Sequence, residues 1–187
     1  MPAQLPIPLP RQLRDVTRKK INRAPSPGLA MVVPWVLVML GSLSPTWPII
    51  ASAPVLPPFG FLFLIAWQQL RPGLFPVWAG LPLGMFDDLF SGQPFGSAVL
   101  LWSLAMIAIA MIENQFPWRG FAQDWLAAAA IITAGLILAL VLANAGGGGT
   151  ALAVIAPQLI VSILIYPLTG RVAGLADRFR LLPIREL

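Results

Sequence analysis

The sequence predicts an all-α polytopic membrane protein, a bundle of six transmembrane helices, and three observations carry that reading. Hydrophobic residues make up 58% of the 187-residue chain and charged residues only 10%, where soluble domains average about 25% charged. Apolar segments separated by turn residues divide the chain into six lengths near the roughly 20 residues that a bilayer crossing requires. The basic residues fall on alternate connections between those segments, as the positive-inside rule demands of a multi-pass chain.

Composition also removes whole classes of chemistry. The chain has no cysteine and no histidine, which excludes disulfides, thiolate nucleophiles, imidazole bases and the usual sulfur and nitrogen metal ligands. Its net charge of +5 reads as the mark of a cytoplasmic face beside anionic lipids, not of nucleic-acid binding. No cofactor is implied.

Taken in order, residues 1–27 form a basic, proline-rich cytoplasmic head carrying Arg11, Arg14, Arg18, Lys19, Lys20 and Arg23. Its long charged leader, followed by several apolar segments, is unlike a cleavable signal peptide. Leu13, Val16 and Lys20 share one helical stripe, with Ile21 beside it, which allows a short interfacial helix. A largely disordered tail held near anionic headgroups is the preferred reading. The membrane domain covers residues 28–170 and begins with a short segment, about Leu29–Leu43, that contains Pro34. After the turn Ser44–Pro48, a second segment runs over about Ile49–Leu70, and its Pro54, Pro57 and Pro58 predict an irregular first half. The third (about Pro72–Phe90) and fourth (about Phe95–Phe116) meet at the tight turn Ser91–Pro94. The fifth, about Trp125–Ala143, presents small residues from Ala127 to Gly135 that allow a neighbouring helix to approach. A glycine turn, Asn144–Thr150, leads into the sixth, about Ala151–Leu168, and residues 171–187 close the chain as a basic cytoplasmic tail.

Charge then orients the bundle. Of twelve Lys and Arg, six precede the first segment, Arg71 follows the second, Arg119 the fourth, and four follow the sixth. The other three connections carry none, so both termini are expected in the cytoplasm and the Ser91–Pro94 turn outside. Trp47, Trp67, Trp118 and Trp125 fall near predicted boundaries as an aromatic belt, while Trp35, Trp78 and Trp102 are expected to pack inside.

Carboxylates, glycines and prolines crowd together only in Gly80–Gly96, GLPLGMFDDLFSGQPFG. At 100° per residue, Gly84 and Asp88 follow Gly80 at about 40° and 80°, and Asp87 lies at about 340°. Gly80 and Gly84 make a G-x-x-x-G pair suited to close helix packing. Pro82 is expected to kink the helix by leaving the Trp78 carbonyl without its amide. Two acids at a membrane segment need water or a partner. One reading has one Asp solvated and the other accepting amides of the following turn, capping the fourth helix. For Asp88, on the glycine stripe, a contact with a partner chain stays open beside it.

These residues resemble a known family. The pattern G-x3-G-x3-D-L-x-S-G-x3-G, filled by Gly80, Gly84, Asp88, Leu89, Ser91, Gly92 and Gly96, is similar to the signature of MreD, the bacterial rod shape-determining membrane protein. A second segment opened by Pro57 and Pro58 and an aromatic-proline pair, Tyr166 and Pro167, late in the sixth also fit. Asp87 is an extra acid, and the proline-rich head is longer than usual in that family. The resemblance implies a non-enzymatic component of the cell-wall elongation machinery in the inner membrane. It implies partners MreC and, through the complex, MreB, RodA and a class B penicillin-binding protein. It further implies the six-helix fold of the substrate-binding subunits of energy-coupling-factor vitamin transporters, which supplies the alternative function of a small-molecule transporter subunit.

The residues themselves argue against catalysis. The only lysines, Lys19 and Lys20, lie in the head, away from any membrane serine. Asp87 and Asp88, adjacent on one helix, diverge by about 100° and cannot face each other as an aspartyl dyad. A vitamin site wants several convergent polar groups, and the outward turns offer only Ser91, Gln93, Asn144 and Thr150. Tyr166 and Pro167 read as an interfacial anchor and a helix stop. Asp88 is expected to matter more to assembly than Asp87.

Overall fold

The computed structural model describes residues 27–46, 55–116 and 120–181. The basic head before Pro27, Trp47, Pro54, Trp118, Arg119 and the last six residues lie outside the described residues. Six α-helices and two short 3-10 turns make up the regular structure of the described residues: α1 (Pro27–Ser42), α2 (Phe59–Leu70), α3 (Gly80–Ser91), α4 (Ser97–Gln115), α5 (Phe121–Ala145) and α6 (Leu152–Arg180). The all-helical, six-helix expectation therefore holds, with boundaries moved by proline.

Pro57 and Pro58 delay α2 until Phe59, so the expected irregular start is present over residues 55–58. In the third segment, Pro72, Gly73 (φ 80°) and Pro76 hold the chain out of a helix until a 3-10 turn at Val77–Ala79 passes directly into α3. Pro82 thus falls in the first turn of α3, where an amide is not required, and the expected kink has no place to form. At the other extreme, α6 does not stop at Pro167. It continues through that residue to Arg180, so the first ten residues of the expected tail are helical. Three helices, α4, α5 and α6, with 19, 25 and 29 residues, are long and apolar enough to cross a membrane. The 12 residues of α2 and of α3 cover only about 18 Å each as helix, and extended or 3-10 backbone lengthens those segments.

The helix α2, FGFLFLIAWQQL, is apolar nearly all round, and such a helix belongs inside. It sits at the centre, against α1, α4, α5 and α6, and buries Leu62, Leu64, Ile65 and Trp67 completely. Glycine sets the closest approaches. A side chain at Gly41 of α1 would meet the backbone of Gly60 at 2.7 Å, and one at Gly135 of α5 would meet the Phe61 ring at 2.9 Å. The outer faces stay apolar: Met31 and Leu40 on α1, Leu104 and Met111 on α4, and Leu164 and Leu168 on α6 are exposed. An apolar exterior on this scale suits lipid rather than water, and with the three crossing-length helices it makes the chain a membrane protein.

The bundle has two distinct ends. At one, the turn end, Ser42 of α1 meets Gly60 of α2, Gly146 after α5 approaches Pro94 of the α3–α4 turn, and Gln158 of α6 donates to the Leu56 carbonyl in the unwound lead into α2 (2.9 Å). At the other, the arginine end, Asp177 of α6 accepts from Arg71 Nη2 (2.8 Å) and from Arg180 Nε (2.6 Å).

Proline explains two further contacts. Pro34 removes the amide that would pair with the carbonyl four residues back, and that carbonyl, Ala30, accepts Arg180 Nη1 at 2.7 Å. Pro167 likewise frees the Ile163 carbonyl, which accepts the Trp125 indole at 3.1 Å. The Arg180 guanidinium also lies 5.5 Å from the centre of the Trp67 ring. Trp67 is therefore wholly buried rather than part of a belt, and Trp78, expected inside, is 61% exposed at the start of α3.

Asp177→Ala removes the counter-charge of the buried Arg180 and is expected to cost about 1.5–3 kcal/mol, the range for hydrogen bonds to charged groups. Thermal unfolding of the purified protein in mild detergent measures it. Arg71→Ala, at a half-exposed position, should shift the midpoint much less.

Candidate functional site

The site grows from the way α3 and α4 are folded against each other. A side chain at Gly84 would come within 2.6 Å of the Val99 backbone, and one at Gly80 within 3.0 Å of that of Ser103. Only hydrogen fits at Gly84, so the two helices cross in near backbone contact. Between them the chain turns back through two glycines in the left-handed region, Gly92 (φ 67°) and Gly96 (φ 93°). Other L-residues are strained there by roughly 1–2 kcal/mol.

Asp88 closes this corner. Its side chain is 6% exposed. Oδ2 accepts the Gly96 amide at 2.8 Å, and Oδ1 accepts the Ala98 amide at 2.9 Å and the Ser97 hydroxyl at 3.3 Å. These donors belong to the first turn of α4, which has no side-chain cap of its own. A carboxylate there both satisfies open amides and opposes the positive end of the helix dipole. Asp88 is thus an N-cap supplied by the neighbouring helix, which is the capping alternative read from the sequence, and both of its oxygens are occupied inside the chain.

The other predicted positions divide. Ser91 ends α3, and its hydroxyl accepts weakly from the Gln93 amide at 3.5 Å. Asp87, one residue before Asp88, is partly buried on a different side of α3, toward α1 and the start of α2. Tyr166 and Pro167 are not at the corner. Tyr166 is buried, donates to Gln69 Oε1 at 2.6 Å, and belongs to the arginine end. Gln69 in turn donates to the Asp124 carbonyl at 3.0 Å, tying α2 to both α5 and α6. The anchor-and-stop reading of Tyr166 and Pro167 gives way to a packed helix interior.

Among the described residues, no group of three or more Asp, Glu, His or Cys side chains is placed to hold a metal ion. The hydrogen bonds of Asp88 all come from backbone amides and a serine, and that Ser97 hydroxyl also lies 3.3 Å from Gln93 Oε1. Such an arrangement fixes geometry.

A family model for the rod shape-determining protein MreD matches residues 28–168. The chain belongs to the MreD family. That match spans all five earlier helices and most of α6, and it places the protein among shape-determining structural membrane proteins rather than a family of enzymes. No curated protein and no solved structure matches the chain. The match to MreD stops before Asp177 and Arg180, so of the charged cluster at the arginine end only Arg71 lies within the matched range.

Sequence reasoning missed that cluster and the second glycine crossing, Gly41 on Gly60. The first pairs residues 106 positions apart, and no local pattern announces it. The second has a signal in hindsight: each glycine sits within two residues of a helix end at a proline-bounded turn.

Asp88→Ala leaves the Gly96 and Ala98 amides without acceptors. At about 1–3 kcal/mol for each buried unsatisfied group, the corner should open before the rest of the bundle. Hydrogen exchange at residues 96–99 is expected to accelerate at least tenfold, with Asp88→Asn intermediate because it keeps one acceptor.

Proposed function

We propose that this protein is a non-enzymatic integral scaffold of the bacterial cell-wall elongation machinery, organising peptidoglycan synthesis through protein–protein contacts in the inner membrane. The observation that carries the reading is the state of Asp88. The one acid of the family-like signature has both oxygens committed to the start of α4, so the motif's carboxylate builds the corner and does not stand free for chemistry. MreC is the direct partner in this reading, with MreB, RodA and a class B penicillin-binding protein joined through the complex.

The topology in this proposal is multi-pass, with both termini cytoplasmic. It is supported by the grouping of Arg71, Arg178 and Arg180 around one end of the bundle, where anionic lipids would meet them, while the opposite turns hold no described basic residue. The six-helix likeness to energy-coupling-factor substrate-binding subunits belongs to the same proposal as a fold analogy alone. Vitamin binding is the weaker reading: the cavity beside the corner measures about 40 Å³, and the groove of about 270 Å³ between α1 and α2 is lined by apolar residues and Ser44, where a small-molecule site needs several convergent polar groups.

Two measurements test the proposal. A reporter fused after Leu187 should read cytoplasmic, and an external position would overturn the orientation. Affinity purification in mild detergent should recover MreC with the wild-type chain. Gly84→Leu, which forces α3 away from Val99, is expected to lower both that recovery and the thermal midpoint; an unaltered complex and melting profile would remove the α3–α4 crossing from the mechanism.

A further inference from the structure

The last turns of α6 have two unlike faces. Tyr166, Thr169, Ala173, Asp177 and Arg180 are buried toward the bundle, and Asp177 and Arg180 pair there. On the opposite side Leu164, Leu168, Arg171, Leu175 and Arg178 fall within an arc of about 80°, and all five are exposed. No hydrogen bond or ion pair joins Arg171 or Arg178 to another described residue. The residues outside those described carry eight basic side chains and two acidic ones, Asp15 and Glu186, so the chain itself is a poor source of counter-charge. Depth sharpens the contrast. Gln158 is tied to the Leu56 carbonyl at the turn end and Asp177 to Arg71 at the arginine end. The helix rises about 28 Å from Gln158 to Asp177, close to the roughly 30 Å thickness of bilayer hydrocarbon. Arg178 therefore stands at the edge of the hydrocarbon, and Arg171, on the same outward face, lies about 10 Å further in. A guanidinium without a counter-charge in that position is costly.

We propose that this face of α6 binds an anionic phospholipid, its phosphate held between Arg171 and Arg178 and its acyl chains laid along Leu168 and Leu164. The inference rests on the orientation proposed above for its leaflet alone, which is the cytoplasmic one. The order of side chains selects a lipid. Followed from the turn end, the stripe is apolar first and basic second, the order of acyl chain and headgroup in a lipid molecule. A water-soluble acidic segment has no chain to lay on the leucines. Leu175 between the arginines and Phe179 beside Arg178 are exposed as well, and a free phosphate ion has no use for them. The two arginines stand about 10 Å apart along the helix axis. A long side chain lets Arg171 run outward to the headgroups, and the Cα–Cβ tilt of a helix inclines Arg178 back toward it. Guanidinium groups suit phosphate oxygens because their N–H donors bind them in pairs.

The test offers the full-length protein, in mild detergent, equal amounts of phosphatidylglycerol and phosphatidylcholine and reads the bound lipid by native mass spectrometry. The wild-type chain should retain phosphatidylglycerol about tenfold over phosphatidylcholine. Arg171→Gln combined with Arg178→Gln should bring that ratio near one at an unchanged thermal midpoint, and Arg171→Lys combined with Arg178→Lys should keep part of it. Arg11→Gln combined with Arg14→Gln removes the same charge from the head and should leave the ratio as it is. An equal fall in both glutamine pairs would assign the preference to overall charge and overturn the site. An unchanged ratio in the α6 pair would overturn it too, as would displacement of phosphatidylglycerol by an equal concentration of inorganic phosphate. No preference in the wild-type chain, with a reporter after Leu187 still reading cytoplasmic, would overturn the site and leave the orientation in place. An external reporter with the preference intact would instead overturn the orientation and the leaflet assigned from it.

Discussion

Backbone groups that lose their helical partners inside an apolar bundle must be answered by side chains, and this requirement organises the whole fold. In hydrocarbon there is no water to take an open amide or carbonyl, and each one left bare costs several kcal/mol. Twenty prolines in 187 residues make the requirement acute. The first turn of α4 is answered by Asp88, the carbonyl freed by Pro34 by Arg180, that freed by Pro167 by Trp125, and the unwound lead into α2 by Gln158. Each answering side chain comes from a different helix than the group it serves. These four side chains are therefore stitches between segments, placed where proline or a turn has opened the backbone, while Ser162 and Thr169 answer carbonyls of their own helix.

That logic explains what was legible in the sequence. The corner could be read because its determinants are local: Gly80, Gly84, Asp88, Gly92 and Gly96 fall within seventeen residues, and helical phase plus turn chemistry relate them. Helix number was legible for a similar reason, since apolar length is a property of each segment. Helix ends were less so. Proline in a sequence announces a missing amide but not whether a distant side chain will compensate. At Pro72 and Pro76 the helix is interrupted and α3 begins only at Gly80; at Pro167 the Trp125 indole accompanies the freed carbonyl and α6 runs on. The same ignorance of distant partners turned Asp177 and Arg180 into a tail on paper and a buried pair in the fold.

The two ends of the bundle meet the requirement differently. At the arginine end the answer is charge: two guanidinium groups share one carboxylate, and one of them also serves a carbonyl and lies beside an indole ring. Three segments, the start of α1, the end of α2 and the end of α6, are joined through Arg180 and Asp177. At the turn end the answer is geometry. Glycine crossings at Gly41–Gly60 and Gly84–Val99 bring backbones together, and a single carboxylate closes the corner.

Rigidity at the turn end has a directional consequence. With Gly84 pressed against α4 and Asp88 pinned by the Gly96 and Ala98 amides, any slide or roll of α3 would break these contacts. Neighbouring residues on a helix point about 100° apart, so pinning Asp88 toward α4 also fixes where Asp87 points, toward Ser42 of α1 and the cavity at the head of α2. An acid left free on a mobile segment would turn to water. Held here it stays on the cavity side of α3, a fixed feature of the turn end. The family-like signature and the extra acid beside it are then parts of one construction, in which the first makes the direction of the second definite.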